Sequence, residues 1–329
     1  MRSPNRPLVP LATTLALAVL AVGAAAASAH RRQRPDHHSD DTAARLLTLE
    51  PDPAGNPEGI TFNEATGAFY VATVGDGAIY RGTLGGDTVS PFIPGGPGES
   101  SVGIHERRGL LYVAGGASGK IKVFDIETRR MVASFETGAG GFLNDLVVTD
   151  DGNVYVTDSF RPTLWHVTPE QVATGAGVPQ ALDVASIPLE PGVFNLNGIV
   201  ATDHRTLIAV HSPTGRLFRI SLNDAGDVIE HIDSVSGVSV PAGDGMLLDR
   251  GRLVVVQAGP PARLTLVELA DDARRGEVRG TIPSPLLNGP STVDRAGDLY
   301  LVVNADFATS TPPFTVAAVP AAGGDQRPQ

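Results

Sequence analysis

Cysteine is absent from the 329 residues of this chain, and lysine occurs only at Lys120 and Lys122. Without cysteine the protein can form no disulfide, thiolate nucleophile, cysteine-ligated zinc site or iron–sulfur cluster. The 36 acidic residues outnumber the 25 basic ones, which gives a net charge of −11. A nucleic-acid-binding protein needs a basic surface, so this charge argues against that class. The sequence also lacks a phosphate-binding glycine loop and a Gly-x-Ser-x-Gly motif, which argues against nucleotide chemistry and serine hydrolases.

Helical periodicity is almost lacking after residue 50, whereas 38 glycines and 26 prolines are spread along the chain. Tight turns need residues that tolerate or preset an unusual φ, so this content is typical of a chain with many turns. Short runs rich in valine, isoleucine, leucine, tyrosine and threonine lie between the turn residues. The sequence therefore predicts an all-β protein.

The first 29 residues have the pattern of a secretory signal peptide. Arg2 and Arg6 precede an apolar, alanine-rich run that ends in small residues. This pattern predicts cleavage after Ala29 and a secreted, extracellular protein with no membrane attachment after cleavage. The alternative is a retained transmembrane anchor, because the run is nearly long enough to span a bilayer. Residues 30–43 are polar and predict a disordered tether, and residues 321–329 predict a flexible tail.

One pattern recurs six times between residues 44 and 320. In its clearest copy, residues 143–149 alternate between apolar and polar side chains, residues 151–153 predict a hairpin turn, and three further strand-like runs follow. A period of about 40 to 50 residues with four strands is typical of a β-propeller, so six copies predict a six-bladed one. The other copies begin at Pro57, Ser101, Leu196, Gly243 and Leu287.

The sixth copy has only three strand-like runs before the chain ends. Residues 44–50 (ARLLTLE) are an apolar stretch ahead of the first copy, with no local partner. We expect this N-terminal strand to close the last blade, because ring closure removes an exposed sheet edge.

The first strand of each propeller blade starts beside the central channel, so equivalent positions at these starts form a ring around one point. Five of the six positions hold oxygen-bearing side chains, which favours one Ca²⁺ ion in the channel, with other divalent cations as alternatives. The ring lacks histidine and cysteine, which argues against zinc. The alternative is that these are ordinary turn residues, although glutamate is poor in turns. The six positions are Glu58, Val102, Asn144, Asn197, Asp244 and Asn288.

Four motifs in these copies, NPEGITF, FLNDLVVTDDGNVYVTDS, LNGIV and GDGMLLD, resemble those of a known family of calcium-dependent propellers. That family includes gluconolactonase, regucalcin (senescence marker protein) and luciferin-regenerating enzyme, and is more distantly similar to the diisopropyl-fluorophosphatase and paraoxonase propellers. The resemblance covers about residues 44–320. It implies that Glu58, Asn144, Asn197 and Asp244 bind one catalytic Ca²⁺, with Asp244 also acting as general base or nucleophile. Asn288 is added by the repeat alone.

Phe142 departs from the pattern of this family. Sugar lactonases of the family typically carry an arginine two residues before the asparagine of the third blade, where it holds the sugar, and here that position is Phe142. Phenylalanine in place of arginine removes the hydrogen-bond donors of the guanidinium group and supplies an apolar face. We therefore expect Phe142 and Asn144 to contact a substrate that is less polar than a sugar lactone. The alternative is that Phe142 only packs beneath the loop.

The second strand of each copy returns to the same face of the ring. His211 at one of these strand ends is a candidate catalytic proton shuttle, because histidine titrates near neutral pH. Asp158 and Gln257 are candidate substrate-binding residues in the same wider ring. The alternative is that all of these are ordinary polar strand ends. The positions are Thr73, Gly115, Asp158, His211, Gln257 and Asn304.

Two functions fit these observations. The first is a secreted Ca²⁺-dependent hydrolase of lactones or esters, acting as a monomer on a small molecule. The second is a non-catalytic, calcium-stabilised propeller that serves as an extracellular binding module. The fold alone does not distinguish them, because propellers host both.

Overall fold

The computed structural model describes residues 43–321. The predicted signal peptide at 1–29 and almost all of the predicted tether and tail lie outside the described residues. Within residues 43–321, no helix is long and apolar enough to cross a membrane. The described chain is built from strands, which confirms the all-β prediction.

The strands follow one another as antiparallel meanders. The first is β1 (Arg45–Leu49). A first group of four follows, with β2 (Pro57–Asn63), β3 (Ala68–Thr73), β4 (Ile79–Thr83) and β5 (Thr88–Ile93). The second group is β6 (Ile104–Arg107), β7 (Leu110–Ala114), β8 (Lys120–Asp125) and β9 (Met131–Glu136). The third is β10 (Leu143–Val148), β11 (Val154–Asp158), β12 (Thr163–Val167) and β13 (Gln180–Asp183), with helix α1 (Pro169–Thr174) between the last two.

The second half of the chain repeats this organisation. The fourth group is β14 (Leu196–Asp203), β15 (Thr206–His211), β16 (Arg216–Leu222) and β17 (Ile229–Ser234). The fifth is β18 (Gly243–Asp249), β19 (Arg252–Gln257), β20 (Arg263–Leu269) and β21 (Gly276–Pro283). The last strands are β22 (Pro290–Ala296), β23 (Leu299–Asn304) and β24 (Thr315–Pro320).

The N-terminal strand lies beside the C-terminal one. β1 pairs antiparallel with β24 from Arg45 opposite Ala318 to Thr48 opposite Thr315. It also pairs in parallel with the end of β5 through Thr48 and Leu49. The strands at the two ends of the described chain therefore belong to one eight-stranded sheet, in the order β2-β3-β4-β5-β1-β24-β23-β22.

Alternating side chains on each strand supply two different parts of the core. In β3, Phe69 and Val71 enter one apolar cluster, whereas Ala68 and Tyr70 enter another on the opposite face, as the two-residue period of a strand requires. Within residues 43–321 the buried apolar side chains form six such clusters, each between two neighbouring groups. One of them joins the first group to β1 and β22–β24, so packing as well as pairing links the two ends of the chain.

The first strands of successive groups approach one another closely. A Cβ added at Gly103 would lie 2.7 Å from the carbonyl oxygen of Asn144, and one added at Gly245 would lie 2.7 Å from the Cα of Thr292. Only glycine leaves room for this approach at these two positions. β22 in turn contacts β2. The residues at the starts of the first strands are thereby gathered around a common axis.

Candidate metal and substrate site

One cavity of about 480 Å³ gathers four of the predicted ring residues. They are the second residues of β2, β10, β14 and β18 respectively. The pairing of each of these strands with its neighbour is irregular at this point, for example between Leu196 and Ile199. Such bulges turn a side chain out of the ladder and are frequent beside functional sites. The four residues are Glu58, Asn144, Asn197 and Asp244.

Negative charge accumulates in this cavity without a matching positive charge. Glu58 is buried, and burial together with the charges of Asp244 and Asp145 raises the pKa of Glu58 well above its usual value. Burial of the carboxylate also raises the pKa of Asp244 to about 7, although the hydrogen bond from Asn197 acts in the opposite direction. No ion pair in residues 43–321 involves Glu58 or Asp244. The cavity therefore favours a cation.

The two amide side chains leave oxygen atoms for a ligand. The Oδ1 atom of Asn197 is buried and has no hydrogen-bond partner among the described residues. An unpaired buried acceptor of this kind costs about 1–3 kcal/mol. Asn144 donates its Nδ2 to the Oγ of Ser159 at 2.9 Å, which leaves its amide oxygen as the group available to a ligand.

This donor set fits Ca²⁺. Two carboxylates and two amide oxygens are hard ligands, and calcium tolerates a mixture of both. Across residues 43–321, no cluster of three histidine or acidic side chains has the arrangement of a metal site, so a cation at this position would depend on the amide oxygens. The nearby acidic residue Asp145 lines a different cavity.

Apolar side chains form the rest of the cavity wall. Val102 takes the one ring position without an oxygen and is buried against the cavity. The ring of Phe142 lies 4.9 Å from that of Phe194 and 5.8 Å from that of Phe160, measured between centroids. Phe307, from near the C-terminal end of the described chain, also lines the cavity. The cavity thus combines a polar cluster of four side chains with an aromatic and aliphatic wall. Its apolar lining residues are Val74, Val102, Phe142, Phe194, Ala242, Ala258 and Phe307.

The structure corrects the prediction for Asn288. Pro57 of β2 pairs with Thr73, and the equivalent pair in the last sheet is Pro290 with Asn304, so the position of Glu58 corresponds to Ser291. Asn288 is exposed and does not line the cavity. The sequence alignment slipped by three residues because Gly289 resembles the recurrent glycine. Gly289 instead has a φ of 53°, a turn conformation that favours glycine.

Asp158 does not contact the cavity but organises its aromatic wall. Its side chain is fully buried. Its Oδ1 atom accepts hydrogen bonds from the backbone N–H groups of Phe142 at 3.0 Å and Phe160 at 3.1 Å. Its Oδ2 atom accepts from Arg161 Nε at 2.6 Å and Trp165 Nε1 at 3.2 Å. With both oxygens occupied and no place in the cavity lining, Asp158 holds the aromatic wall in place, which does not fit the substrate contact that the sequence predicts.

His211 is likewise a positioning residue. It is buried, and its Nδ1 and Nε2 atoms lie 2.8 Å from Thr214 Oγ1 and 3.2 Å from Asn195 Oδ1. Burial lowers its pKa, which keeps the ring neutral. With both nitrogens engaged and no contact with the cavity, the ring does not fit the proton shuttle that the sequence predicted. It instead holds Asn195, two residues before Asn197.

Gln257 has the same kind of role. Its Nε2 donates to the carbonyl oxygen of Pro241 at 2.7 Å, and its Oε1 accepts from Thr265. The Nδ2 of Asn304 similarly donates to the carbonyl oxygen of Leu286 at 2.9 Å. The side chains at the ends of these second strands therefore anchor the loops that lead into the first strands of their own sheets. The substrate contact predicted for Gln257 is corrected accordingly.

Three aromatic residues of the site were missed by the sequence analysis. Phe160, Phe194 and Phe307 lie in loops outside the repeated pattern, so neither alternation nor spacing marks them. The signal that could have found Phe194 is its position three residues before Asn197, where a preceding loop side chain can reach the same cavity.

Comparisons with known proteins give similarity in structure only. No family model matches the chain, and no curated protein sequence matches it. A luciferin-regenerating enzyme superposes with a TM-score of 0.59 at 13% identity, over 85% of this chain and 96% of that one. Regucalcin from Agrobacterium tumefaciens, a calcium-binding protein, gives 0.61 at 16% identity, over 84% and 93%. A gluconolactonase from Xanthomonas campestris gives 0.59 at 17% identity, over 84% and 90%.

These three proteins are the ones that the sequence motifs resemble, so the predicted resemblance is confirmed. The WD40 β-propeller domain of Doa1 also superposes, with a TM-score of 0.52 at 11% identity over 82% of this chain and 79% of that one. At these identities the likeness concerns the fold. The chain has the β-propeller fold found in luciferin-regenerating enzyme, regucalcin and gluconolactonase.

Proposed function

We propose that the protein is a Ca²⁺-dependent hydrolase of lactones or esters with a substrate site less polar than that of a sugar lactonase. The observation that carries the proposal is the buried, unpaired Oδ1 atom of Asn197 in a cavity that also holds Glu58 and Asp244. A hard cation would satisfy this oxygen and offset the charge of the two carboxylates. The similarity in fold to a gluconolactonase and to a calcium-binding regucalcin supports the same function.

The proposed architecture is a six-bladed propeller closed by β1. The six apolar clusters between neighbouring groups of residues 43–321 support this blade count. The antiparallel pairing of β1 with β24 supports the closure. Closure matters for the site because Glu58 and Asp244 come from distant parts of the chain and meet only if the ring is complete.

Asp244 is the residue proposed to move a proton. It is partly exposed in the cavity, whereas Glu58 is buried. Glu58, Asn144, Asn197 and Asp244 would hold a calcium ion, which when bound would supply a Lewis acid for the carbonyl group of the substrate. Asp244 accepts a proton from the attacking water and returns it to the leaving alcohol oxygen as the acyl carbon–oxygen bond breaks.

The substrate is proposed to be a small lactone or ester with an apolar substituent. Phe142, Phe194 and Phe307 give the cavity an aromatic wall, and none of them can hydrogen-bond to the hydroxyl groups of a sugar. We further propose a secreted, extracellular monomer without nucleic-acid partners, on the basis of the apolar N-terminus and the net charge of −11.

A panel of γ- and δ-lactones and aryl esters tests this function. We expect hydrolysis by calcium-loaded protein that is lost on addition of a chelator, and lost in Asp244→Asn while the circular dichroism spectrum is retained. Asn288→Ala is the matched control, because Asn288 is exposed, and it should keep full activity. No turnover of any substrate by protein that calcium still stabilises would contradict the hydrolase and favour the non-catalytic binding module.

A further inference from the structure

A second cavity of about 400 Å³ lies beside the candidate site. Its walls are a loop that precedes β14 and the side chain of Phe160, which follows β11. Most of its lining side chains are apolar. The lining residues are Phe160, Leu189, Glu190, Pro191, Gly192, Val193 and Asn195.

The two cavities share an aromatic wall. Phe194 lines the first cavity, and its ring centroid lies 5.0 Å from that of Phe160 in the second. Phe142 contacts both of these rings. The two cavities are therefore joined by one cluster of three aromatic rings.

The apolar surface at this junction is exposed to solvent. Phe160, Val193 and Phe194 keep 43%, 40% and 46% of their surface accessible. Isolated exposed apolar residues are ordinary, but a contiguous group at the mouth of a cavity is typical of a ligand-binding surface. The group also lies next to the polar cluster where the reaction is proposed to occur.

The backbone that carries this surface is held in place. Asn195 is buried, and its Nδ2 donates to the carbonyl oxygens of Ser159 at 3.1 Å and Val193 at 2.9 Å. The Oδ1 atom of Asp158 accepts hydrogen bonds from the backbone N–H groups of Phe142 and Phe160. Because the surface is already formed, a ligand binds without an ordering cost for the loop.

The polar atoms of the second cavity do not favour an anionic ligand. The amide of Asn195 is used by the loop and by His211. Glu190 is exposed at the cavity and forms no ion pair among the described residues. Its negative charge disfavours an anionic group at this position. The walls formed by Phe160, Leu189, Pro191 and Val193 fit an apolar portion of a ligand.

We infer that the second cavity binds the neutral alkyl chain of an ester or lactone whose carbonyl group lies in the first cavity. Phe160 and Val193 are then specificity-determining residues, with Phe194 as the shared wall between chain and carbonyl group. This inference rests on the proposed hydrolase function. It adds to that function the position and chemistry of the chain-binding part of the substrate.

The test measures kcat/KM for a series of para-nitrophenyl esters from acetate through butyrate and hexanoate to octanoate. Each methylene buried in the second cavity should raise kcat/KM about fourfold, which corresponds to about 0.8 kcal/mol. Val193→Ser and Phe160→Ser should flatten this dependence on chain length. Val178→Ser is the matched control, since Val178 is 78% exposed outside both cavities, and it should leave the series unchanged.

Titration calorimetry of γ-alkyl-γ-lactam binding tests the chain-binding cavity independently of hydrolysis, because lactams resist hydrolysis. Affinity that rises with chain length and falls in Val193→Ser supports the second cavity even if no ester is turned over, in which case only the hydrolase proposal fails. Turnover with equal kcat/KM for all chain lengths would overturn the chain-binding site and leave the hydrolase intact. Absence of both turnover and chain-dependent lactam binding would overturn both.

Discussion

The backbone N–H of Gly103 donates a hydrogen bond of 2.8 Å to the carbonyl oxygen of Asn144. Two neighbouring first strands are joined at this point, directly beside a candidate calcium ligand. A methyl group on residue 103 would lie 2.7 Å from the same oxygen and 2.7 Å from the Cα of Asp145. The close approach of the strands and the position of Asn144 therefore depend on the same glycine.

Gly103→Ala should destabilise the protein by about 1–3 kcal/mol, because the strands must move apart to admit the methyl group. Gly280→Ala is the control, since a Cβ at Gly280 meets no atom within 4 Å, and it should change stability by less than about 0.5 kcal/mol. Urea unfolding of both variants measures the difference. Equal stability of the two would show that the first strands are not closely packed at residue 103.

The proposed closure by β1 predicts different effects at two adjacent leucines. Leu47 is fully buried opposite Val316, whereas Leu46 is 42% exposed. Leu47→Ala should therefore cost about 2–5 kcal/mol, and Leu46→Ala less than about 0.5 kcal/mol. Deletion of residues 44–50 should lower the melting temperature sharply. A deletion that leaves the melting temperature unchanged would contradict the closure.

The two roles considered for Asp158 differ in their effect on stability. Asp158 is the buried partner of Arg161 and of the backbone N–H groups of Phe142 and Phe160. Asp158→Asn should therefore lower the free energy of unfolding by about 3–5 kcal/mol. Asp150→Asn is the control, because the Asp150 side chain is 95% exposed in its ion pair with Arg107 and contributes less than about 1 kcal/mol. Chemical denaturation compares the two. A variant Asp158→Asn that is as stable as Asp150→Asn and differs only in KM would restore the substrate-binding role.

His105 should make stability depend on pH. Burial, with a smaller contribution from the charge of Arg107, lowers its pKa from 6.5 to about 4. Between these values the unfolded chain binds the proton and the folded one does not, so stability is lost as pH falls from 6.5 toward 4. The loss from this group reaches about 3 kcal/mol.

The difference in unfolding free energy between the wild type and His105→Gln isolates this effect from that of other groups. Burial raises the pKa of Asp294 to about 6 and that of Asp145 to about 7. These two residues therefore oppose His105 in the wild type and its variant alike. A difference between wild type and variant that stays constant over this pH range would show that the folded protein does not lower the pKa of His105.

The all-β class and the four converging side chains could be predicted because both follow from local sequence. Alternation and turn residues specify strands, and the second residue of the first strand recurs at a regular spacing, as at Glu58 and Asn144. The first strand of the sixth copy was placed three residues too early, because Gly289 was taken for the glycine that allows close strand approach. Gly289 is instead a turn residue. Glycine identity alone does not separate these two causes.

The roles of the second-strand ends could not be predicted, because they depend on where a side chain points. His211 and Asp158 lie at the expected strand ends, but their hydrogen-bond partners come from loops whose path the sequence does not specify. The same reason explains why Phe160 and Phe194 were missed. Whether a loop side chain lies in the cavity depends on the conformation of the loop, and no spacing in the sequence predicts that conformation.

Glu58, Asn144, Asn197 and Asp244 are proposed to hold one calcium ion, and titration calorimetry of chelator-treated protein tests this most directly. We expect the wild type and Asn288→Ala to bind one Ca²⁺ with equal affinity. The double variant Glu58→Gln/Asp244→Asn should bind none. Its stability without calcium should rise, because the unfavourable burial of two ionisable carboxyl groups is removed. Absence of calcium uptake by the wild type, or unchanged affinity in the double variant, would contradict the account.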